Sequence, residues 1–248
     1  MKGVILAGGT GSRMHPLTKV TNKHLLPVYN EPMIFKVLKT LTKSGITEIV
    51  IVLGGESVGD FVRLLGDGAD FNAKLMYVYQ RGAGGIAEAL NLTYPIVHGD
   101  DVAVILGDNI FENTFEQEMA AFQHDKVNDC YLFLKEVPDP QRFGVAEVDK
   151  SGKILSIEEK PKSPKSNLAV TGLYLYRKDV FQRIKNVIDT IGYSKRGELE
   201  ITDVNNLYVK DGKVKAINVL GFWSDAGKFE TLLKASNFIQ SKEGPQTK

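Results

Sequence analysis

Three glycines and two basic residues near the amino terminus form the part of this sequence best suited to binding phosphate. Gly8, Gly9 and Gly11 follow a short apolar run, with Arg13 directly beyond them and Lys23 ten residues after that. Glycines lack the side chains that would hold the backbone away from a polyanion, so successive N–H groups can approach its oxygens. Arginine and lysine supply compensating positive charge. We therefore predict a phosphate-binding loop here rather than an ordinary tight turn.

The loop matches neither of the two best-known phosphate-binding motifs. A Walker A loop needs Lys-Ser or Lys-Thr after its last glycine, whereas this chain has Ser12 followed by Arg13. A dinucleotide-binding fingerprint needs a third glycine three residues after Gly11, where Met14 stands. The sequence therefore excludes both motifs and leaves a glycine-rich loop of another class.

Two aspartates at strand or loop ends are candidate ligands for a divalent cation. Asp108 follows the apolar run Val102–Leu106, and Asp225 lies between Trp223 and Gly227. A carboxylate that emerges at a strand end can hold a magnesium ion that also binds phosphates. Each aspartate could equally cap a turn, and sequence spacing does not show whether the two meet. A shared magnesium site is the chemical hypothesis that these residues support.

Composition and charge exclude several classes of protein. A chain of 248 residues, 43% of them hydrophobic, is sufficient for one α/β domain with its own core. Its net charge of +1 gives no general basic field, so neither nucleic acid nor an anionic membrane is expected as a partner. No apolar run approaches the roughly twenty residues that span a bilayer. The start of the chain lacks signal-peptide features, so we expect a cytoplasmic location.

Cysteine and histidine give no sign of a nucleophile or a zinc site. Cys130 is the single cysteine and lies in an apolar stretch, which favours a buried thiol and excludes an internal disulfide. The four histidines are scattered without the spacing of metal ligands. We therefore expect any metal to be held by oxygen.

Alternating strand and helix patterns in the first half place the candidate residues at one edge of a sheet. Apolar runs predict strands at 4–7, 49–53, 75–79 and 102–106, and helical spacing predicts helices at 33–41 and 86–92. This alternation favours a parallel sheet that is covered on both faces. Ligands bind such sheets at the carboxyl ends of the strands, where Gly8 and Asp108 lie.

From about residue 110 the pattern becomes mixed α+β. Helices are predicted at 115–123, 201–208 and 229–239, and strands at 131–137, 145–148, 154–157, 169–176 and 214–220, with a hairpin turn at 150–153. Because no linker or repeat interrupts the chain, we predict one domain over 1–240 and a polar tail over 241–248. The predicted fold class is α/β, with a Rossmann-like, mostly parallel sheet flanked by helices and a mixed α+β second portion.

Several segments resemble, in order, the motifs of the sugar nucleotidyltransferase family. Taken singly they have plainer interpretations, such as a helix start, a charge cluster closed by proline or a buried strand. Together they cover nearly the whole chain, and the stretch Arg196-Gly-Glu-Leu-Glu-Ile-Thr-Asp203 is long and specific. The matching stretches are 2–13, 22–28, 80–89, 106–111, 138–147, 158–161, 166–176, 196–205 and 223–227, with 230–239 beyond. The resemblance implies a nucleotide-diphospho-sugar transferase fold.

The resemblance also implies roles for individual residues. The nucleotide would lie in the half formed by about 1–110, with Gly8, Gly11, Ser12 and Arg13 on its phosphates and Gln80 and Gly85 at its base. The glutamine amide offers a donor and an acceptor, as the imide edge of thymine or uracil requires. The sugar phosphate would lie in the half formed by about 111–240. The residues near the sugar would be Gly144, Glu159, Val170 and Asn109, the last of which lies just before this half. Its phosphate would be bound by Lys160 and Arg196. Mg²⁺ would be held by Asp108 and Asp225, and the catalytic residues would be Arg13, Lys23 and Asp108.

The implied reaction joins two anions. A phosphate oxygen of glucose 1-phosphate attacks the α-phosphorus of dTTP in line, giving dTDP-glucose and pyrophosphate. Such a reaction needs positioning and charge cancellation rather than a covalent nucleophile. Two alternatives remain open: the same chemistry with UTP or another hexose 1-phosphate, and a non-catalytic sensor of nucleotide sugars. The sensor would be expected to lack a metal carboxylate or the loop arginine, and this chain has both.

The chain departs from the family pattern at three points. Gly84 stands where several long members carry an aspartate, and Lys228-Phe229 stands where a Thr-His pair is frequent. The sequence also resembles short members, which lack a C-terminal extension, so feedback regulation of the long-form kind is not expected. The sequence is compatible with a homo-oligomer.

Overall fold

A mixed sheet of nine strands forms the centre of the protein in the computed structural model, which describes residues 1–244. Its path runs β10-β9-β11-β6-β1-β4-β5, and β8 pairs with both β11 and β12. These strands are β1 (Lys2–Ala7), β4 (Glu48–Gly54), β5 (Lys74–Gln80), β6 (Val102–Leu106), β8 (Cys130–Glu136), β9 (Gly144–Val148), β10 (Ile154–Glu159), β11 (Leu168–Tyr176) and β12 (Val214–Asn218).

The two halves of the sheet differ in strand direction, as the sequence predicted. Strands β6, β1, β4 and β5 run parallel to one another. Strand β11 then pairs antiparallel with β6, β8 and β9, and β9 pairs antiparallel with β10 across the predicted hairpin turn. The α/β class with a Rossmann-like first half and a mixed second half is confirmed.

Short strand pairs and helices complete the structure. Two small antiparallel pairs join β2 (Pro27–Val28) to β3 (Glu31–Pro32) and β7 (Asn109–Phe111) to β13 (Trp223–Asp225). The helices are α1 (Met33–Lys43), α2 (Val58–Leu65), α3 (Ile86–Asn91), α4 (Tyr94–Val97), α5 (Glu116–His124), α6 (Val180–Thr190), α7 (Ile201–Lys210) and α8 (Phe229–Glu243). Within residues 1–244, no helix combines the length and hydropathy needed to cross a membrane.

The hydrophobic core has one layer on each face of the sheet. Along β1, Val4 belongs to one layer and Ile5 to the other, because successive side chains of a strand point to opposite faces. Helix α1 covers one face with the predicted apolar stripe, and helices α3, α6 and α7 cover the opposite face. A strand buried on both faces must be apolar throughout, which is why these strands appear as continuous apolar runs.

Some predicted boundaries need correction. The last helix continues to Glu243, so residues 241–243 of the predicted polar tail are helical, and residues 245–248 lie outside the described part of the chain. The last sheet strand ends at Asn218 rather than at residue 220. The expected buried thiol is confirmed, since Cys130 is fully buried.

Candidate active site

The parallel strands bring the candidate residues to one edge of the sheet. Gly8 follows β1, Gln80 ends β5, and Asp108 lies two residues after β6. The first two segments pack closely, since a Cβ atom added at Gly8 would lie 2.7 Å from Oε1 of Gln80. A side chain at position 8 would therefore displace the Gln80 amide.

A cleft of two compartments opens at this edge. The smaller, about 280 Å³, is lined by Gly8, Gly9, Lys23, Gln80 and Gly85, among others. The larger, about 490 Å³, is lined by most of the remaining predicted residues: Ser12, Asn109, Gly144, Glu159, Val170, Arg196 and Asp225. Arg13, Asp108 and Lys160 line both compartments. The cleft can therefore hold two ligands that meet beside these three side chains.

Gly11 is the predicted site residue that is absent from both linings. Its φ of 65° is in the left-handed region, where a side chain would be strained. Thr18 donates a hydrogen bond of 2.7 Å to its carbonyl oxygen. Gly11 thus shapes the turn that leads to Arg13.

Asp108 and Lys23 form an ion pair on the lining of the cleft, and each of the two side chains is 12% exposed. The Lys23 Nζ atom lies 2.5 Å from Oδ2 of Asp108, and the Asn109 amide donates to Oδ1 at 3.0 Å. Burial disfavours the charged carboxylate, but the ammonium and the amide outweigh it and lower the pKa of Asp108 below its usual range. Asp108 is therefore ionised at neutral pH.

Asp225 reaches the same site from a distant part of the sequence. Strand β13 pairs with β7 so that Asp225 lies opposite Asn109, and the Ala226 N–H donates to the Asp108 carbonyl at 2.7 Å. Burial raises the pKa of Asp225; the Arg142 guanidinium, 2.6 Å away, opposes this rise and the charge of Asp108 adds to it. The two predicted carboxylates therefore lie within electrostatic reach of each other.

This pair has the donor chemistry that Mg²⁺ requires. Both groups are carboxylates, the hard oxygen ligands that this ion prefers. A divalent cation beside them would offset the repulsion that raises the pKa of Asp225. Residues 1–244 contain no cluster of three or more His, Cys, Asp or Glu side chains suited to a metal. Two carboxylates fit an ion that takes its other ligands from phosphates and water, as Mg²⁺ commonly does.

Interactions within the protein fix several side chains of the larger compartment. Asn109 Oδ1 accepts from the Gly172 N–H and from Trp223 Nε1, each at 2.8 Å. Glu159 accepts from the Thr202 hydroxyl at 2.7 Å and from Arg196 at 3.3 Å. These side chains are held in place before any ligand binds.

Sequence reasoning missed several residues that line the larger compartment, among them the polar side chains of Arg142, Glu198, Thr202, Asn205 and Trp223. All five lie within the stretches that match the family motifs, but none carried a separate signal. Arg142 bridges Asp139 and Asp225, at 2.8 and 2.6 Å, so only the folded chain shows its position.

The departure at Gly84 has a physical explanation in the structure. A Cβ atom there would lie 1.9 Å from Oε2 of Glu88. The missing side chain therefore leaves the space that the Glu88 carboxylate occupies. Nothing in the structure explains Lys228-Phe229.

His24 is a buried neutral imidazole that makes stability depend on pH. It lines the smaller compartment and bonds to Asn22 at 2.7 Å. Burial, with the positive charge of Lys23, lowers its pKa to about 3, while Asp108 opposes the shift. Between about pH 6.5 and 3 the unfolded chain therefore binds a proton at this residue that the folded chain does not.

We therefore expect the free energy of unfolding to fall by about 2 kcal/mol between pH 7 and pH 5 through His24 alone. Urea titrations of the ligand-free protein at both pH values measure the change. The His124→Gln variant is the control, because His124 is exposed and its loss should leave the pH dependence intact. If His24→Gln folds and keeps the full acid-side loss, the assignment to His24 is wrong.

In this structure a glycine loop and Asp108 follow strands of a parallel sheet, and β13 brings Asp225 beside them. This arrangement is typical of an α/β enzyme that acts on phosphates. The nucleotidyl transferase family model matches residues 2–242, so the chain belongs to the nucleotidyl transferase family. The resemblance inferred from the motifs is thereby confirmed.

The chain is similar over nearly its whole length to several proteins of named activity. The chain is 41% identical to a glucose-1-phosphate thymidylyltransferase of Neisseria gonorrhoeae, over 99% of this chain and 85% of that protein. It is also 41% identical to one of Mycolicibacterium smegmatis, over 98% and 83%. A crystal structure assigned as a glucose-1-phosphate thymidylyltransferase of Bacillus anthracis, in complex with sucrose, is 47% identical with a TM-score of 0.91, over 100% of this chain and 98% of that one. A UDP-glucose pyrophosphorylase complexed with UDP-glucose is 25% identical with a TM-score of 0.83, over 97% and 98%.

Proposed function

We propose that this enzyme transfers a thymidylyl group from dTTP to glucose 1-phosphate, giving dTDP-glucose and pyrophosphate, with Mg²⁺ as its metal. The observation that carries the proposal is a cleft with two compartments that meet at Arg13, Asp108 and Lys160. Near-full-length relatives named glucose-1-phosphate thymidylyltransferase support these substrates. We also propose a cytoplasmic location.

In the proposed reaction each compartment of the cleft binds one of the two substrates. The triphosphate lies over the glycine loop, with its base beside Gln80 and Gly85, and the sugar phosphate occupies the larger compartment. The side-chain amide of buried Asn109, which the Gly172 N–H holds in place, then lies beside the sugar. Glu159 and Val170 also face the sugar. Asp108 and Asp225 would hold the metal, which supplies positive charge to the phosphate oxygens.

Charge cancellation is the main work of the protein side chains in this mechanism. Each cation about 4 Å from a phosphate contributes roughly 4 kcal/mol of attraction at an effective dielectric constant near 20. Arg13 and Lys23 would act on the triphosphate, and Lys160 and Arg196 on the sugar phosphate. Holding both anions in line in this cleft lowers the barrier without a covalent intermediate.

UTP is the second candidate nucleotide. Thymine and uracil share the imide edge that Gln80 would contact, and the fold is also that of a UDP-glucose pyrophosphorylase. The sensor alternative is weaker, because the metal carboxylates and the loop arginine are present and line one cleft.

The proposal is tested by measuring pyrophosphate release with Mg²⁺, glucose 1-phosphate and each of dTTP, UTP, CTP, ATP and GTP in turn. Mass spectrometry should identify the sugar nucleotide formed. Fastest release with dTTP would support the proposed reaction, and fastest release with another nucleotide would change the substrate and keep the chemistry. If no pyrophosphate is released with any nucleotide, and none with other hexose 1-phosphates, the result would favour the non-catalytic sensor.

We expect Lys160→Ala to weaken the use of glucose 1-phosphate more than that of dTTP. Lys160 is half-exposed at the junction of the compartments, and its Nζ lies 3.4 Å from Glu159, which faces the larger one. Loss of a charge-assisted hydrogen bond should raise KM for the sugar phosphate about tenfold or more. Steady-state kinetics with each substrate varied in turn measures the difference.

Lys162→Ala is the matched control, since Lys162 is exposed two residues further on and lines neither compartment. It should behave like the parent enzyme. An equal loss for both substrates in Lys160→Ala would contradict a role confined to the sugar phosphate.

A further inference from the structure

The side-chain amide of Gln80 is held by two acceptors. Its Nε2 atom donates to Oε1 of Glu88 at 3.1 Å and to the carbonyl oxygen of Gly85 at 3.4 Å. Gln80 is 5% exposed and lines the smaller compartment. A buried amide in these surroundings has one favourable orientation, because the reverse would set its oxygen against a carboxylate and a carbonyl.

The amide oxygen is left for a ligand. Gln80 and Gly8 both line the smaller compartment, and Oε1 of Gln80 lies beside Gly8 without a hydrogen-bond partner within residues 1–244. A group that binds against this oxygen must therefore be a hydrogen-bond donor.

Glu88 is itself fixed from two sides. The Tyr193 hydroxyl donates to its Oε2 atom at 3.1 Å. Gly84 provides the space for the carboxylate, since a Cβ atom there would lie 1.9 to 2.2 Å from its atoms. The carboxylate is thus held where it meets the Gln80 amide.

We propose that Glu88 is a positioning residue that determines base specificity by fixing the Gln80 amide with its oxygen toward the nucleobase. The inference rests on the proposed function, in which the base binds beside Gln80. The site then selects a pyrimidine whose N3 carries a proton, as in thymine and uracil. Cytosine presents a lone pair at N3, which faces the amide oxygen without a proton between them.

Glu88→Gln tests the proposal with little change in shape. A glutamine can donate as well as accept, so the Gln80 amide is free to reverse and offer its N–H₂ to cytosine. We expect the ratio of kcat/KM for UTP to that for CTP to fall about tenfold or more, as for other sites that lose a fixed polar partner. The ratio for dTTP to UTP should stay within about twofold, because both bases carry the N3 proton.

Two further variants separate this role from a general structural one. Tyr193→Phe removes a supporting contact of Glu88 and keeps the direct contact with Gln80, so the UTP-to-CTP ratio should fall by no more than about twofold. Gly84→Ala keeps Glu88 and displaces its carboxylate, so the ratio should fall as it does in Glu88→Gln.

The outcomes distinguish this inference from the proposed function. A parent enzyme that uses neither dTTP nor UTP contradicts the function before any variant is made. A parent that prefers them, with an unchanged UTP-to-CTP ratio in Glu88→Gln, contradicts the role of Glu88 alone. An equal loss with all three nucleotides, or a Tyr193→Phe effect as large as that of Glu88→Gln, would likewise overturn it.

Discussion

Asp108→Asn is expected to slow turnover by about a hundredfold or more at saturating substrates and Mg²⁺. The side chain keeps its shape and loses its charge, so the site keeps one carboxylate, Asp225, where it had two. Lys23 also loses its ionised partner at 2.5 Å and is left as a buried cation. Both changes act where the two compartments meet and the reacting phosphates are proposed to lie.

The measurement is pyrophosphate release over a magnesium titration, with folding checked by urea denaturation. Asp101→Asn is the matched control, since Asp101 precedes the same strand at its opposite end and pairs with Arg177 at 2.6 Å. It should lose stability without comparable loss of turnover. Near-normal turnover of Asp108→Asn at saturating Mg²⁺ would contradict the assignment of Asp108.

The first half of the site could be predicted because it depends on local sequence patterns. Apolar runs identify the buried strands, and residues that directly follow parallel strands must lie at one edge of the sheet. Gly8 and Asp108 are positioned by this rule alone, and the structure places both in the cleft. The stripe that buries helix α1 was visible for the same reason, since its spacing follows the helical period.

The second carboxylate could not be placed from local pattern. Asp225 meets Asp108 only because the three-residue strands β7 and β13 pair, and strands so short have no periodicity to detect. Arg142 was missed because its role depends on reaching Asp225 across the fold. The Glu88 contact with Gln80 depends on how α3 leaves its loop. In each case the deciding contact is tertiary.

Helix α6 was not predicted from the sequence, although its formation does not depend on a tertiary contact of this kind. Its buried residues Val180, Phe181, Ile184 and Val187 follow a helical spacing that the sequence contains. The signal was therefore present, and the helix could have been predicted. It contributes to the core layer against α3 and α7 rather than to the cleft, so its omission did not affect the predicted site.

Lys23→Met should reduce turnover by at least about a hundredfold, because it removes a positive charge from the point where two anions must approach. Methionine keeps much of the aliphatic stem, so the effect of charge is separated from that of packing. Lys23 lines the smaller compartment beside Asp108, and a Cβ atom added at Gly9 of the phosphate loop would lie 3.9 Å from its Nζ. Lys19→Met is the control, since Lys19 is exposed four residues earlier and lines neither compartment.

The double variant Lys23→Met with Asp108→Asn separates catalysis from stability. Either single change leaves one buried charge without its partner and should lower the free energy of unfolding by about 3 kcal/mol or more. The double change removes both charges, so much of that stability should return, as urea titration would show. Turnover should stay low, because the cation and the metal carboxylate are both gone. If restored stability brought turnover back toward the parent rate, the pair would serve folding alone, and neither residue would belong to the catalytic machinery.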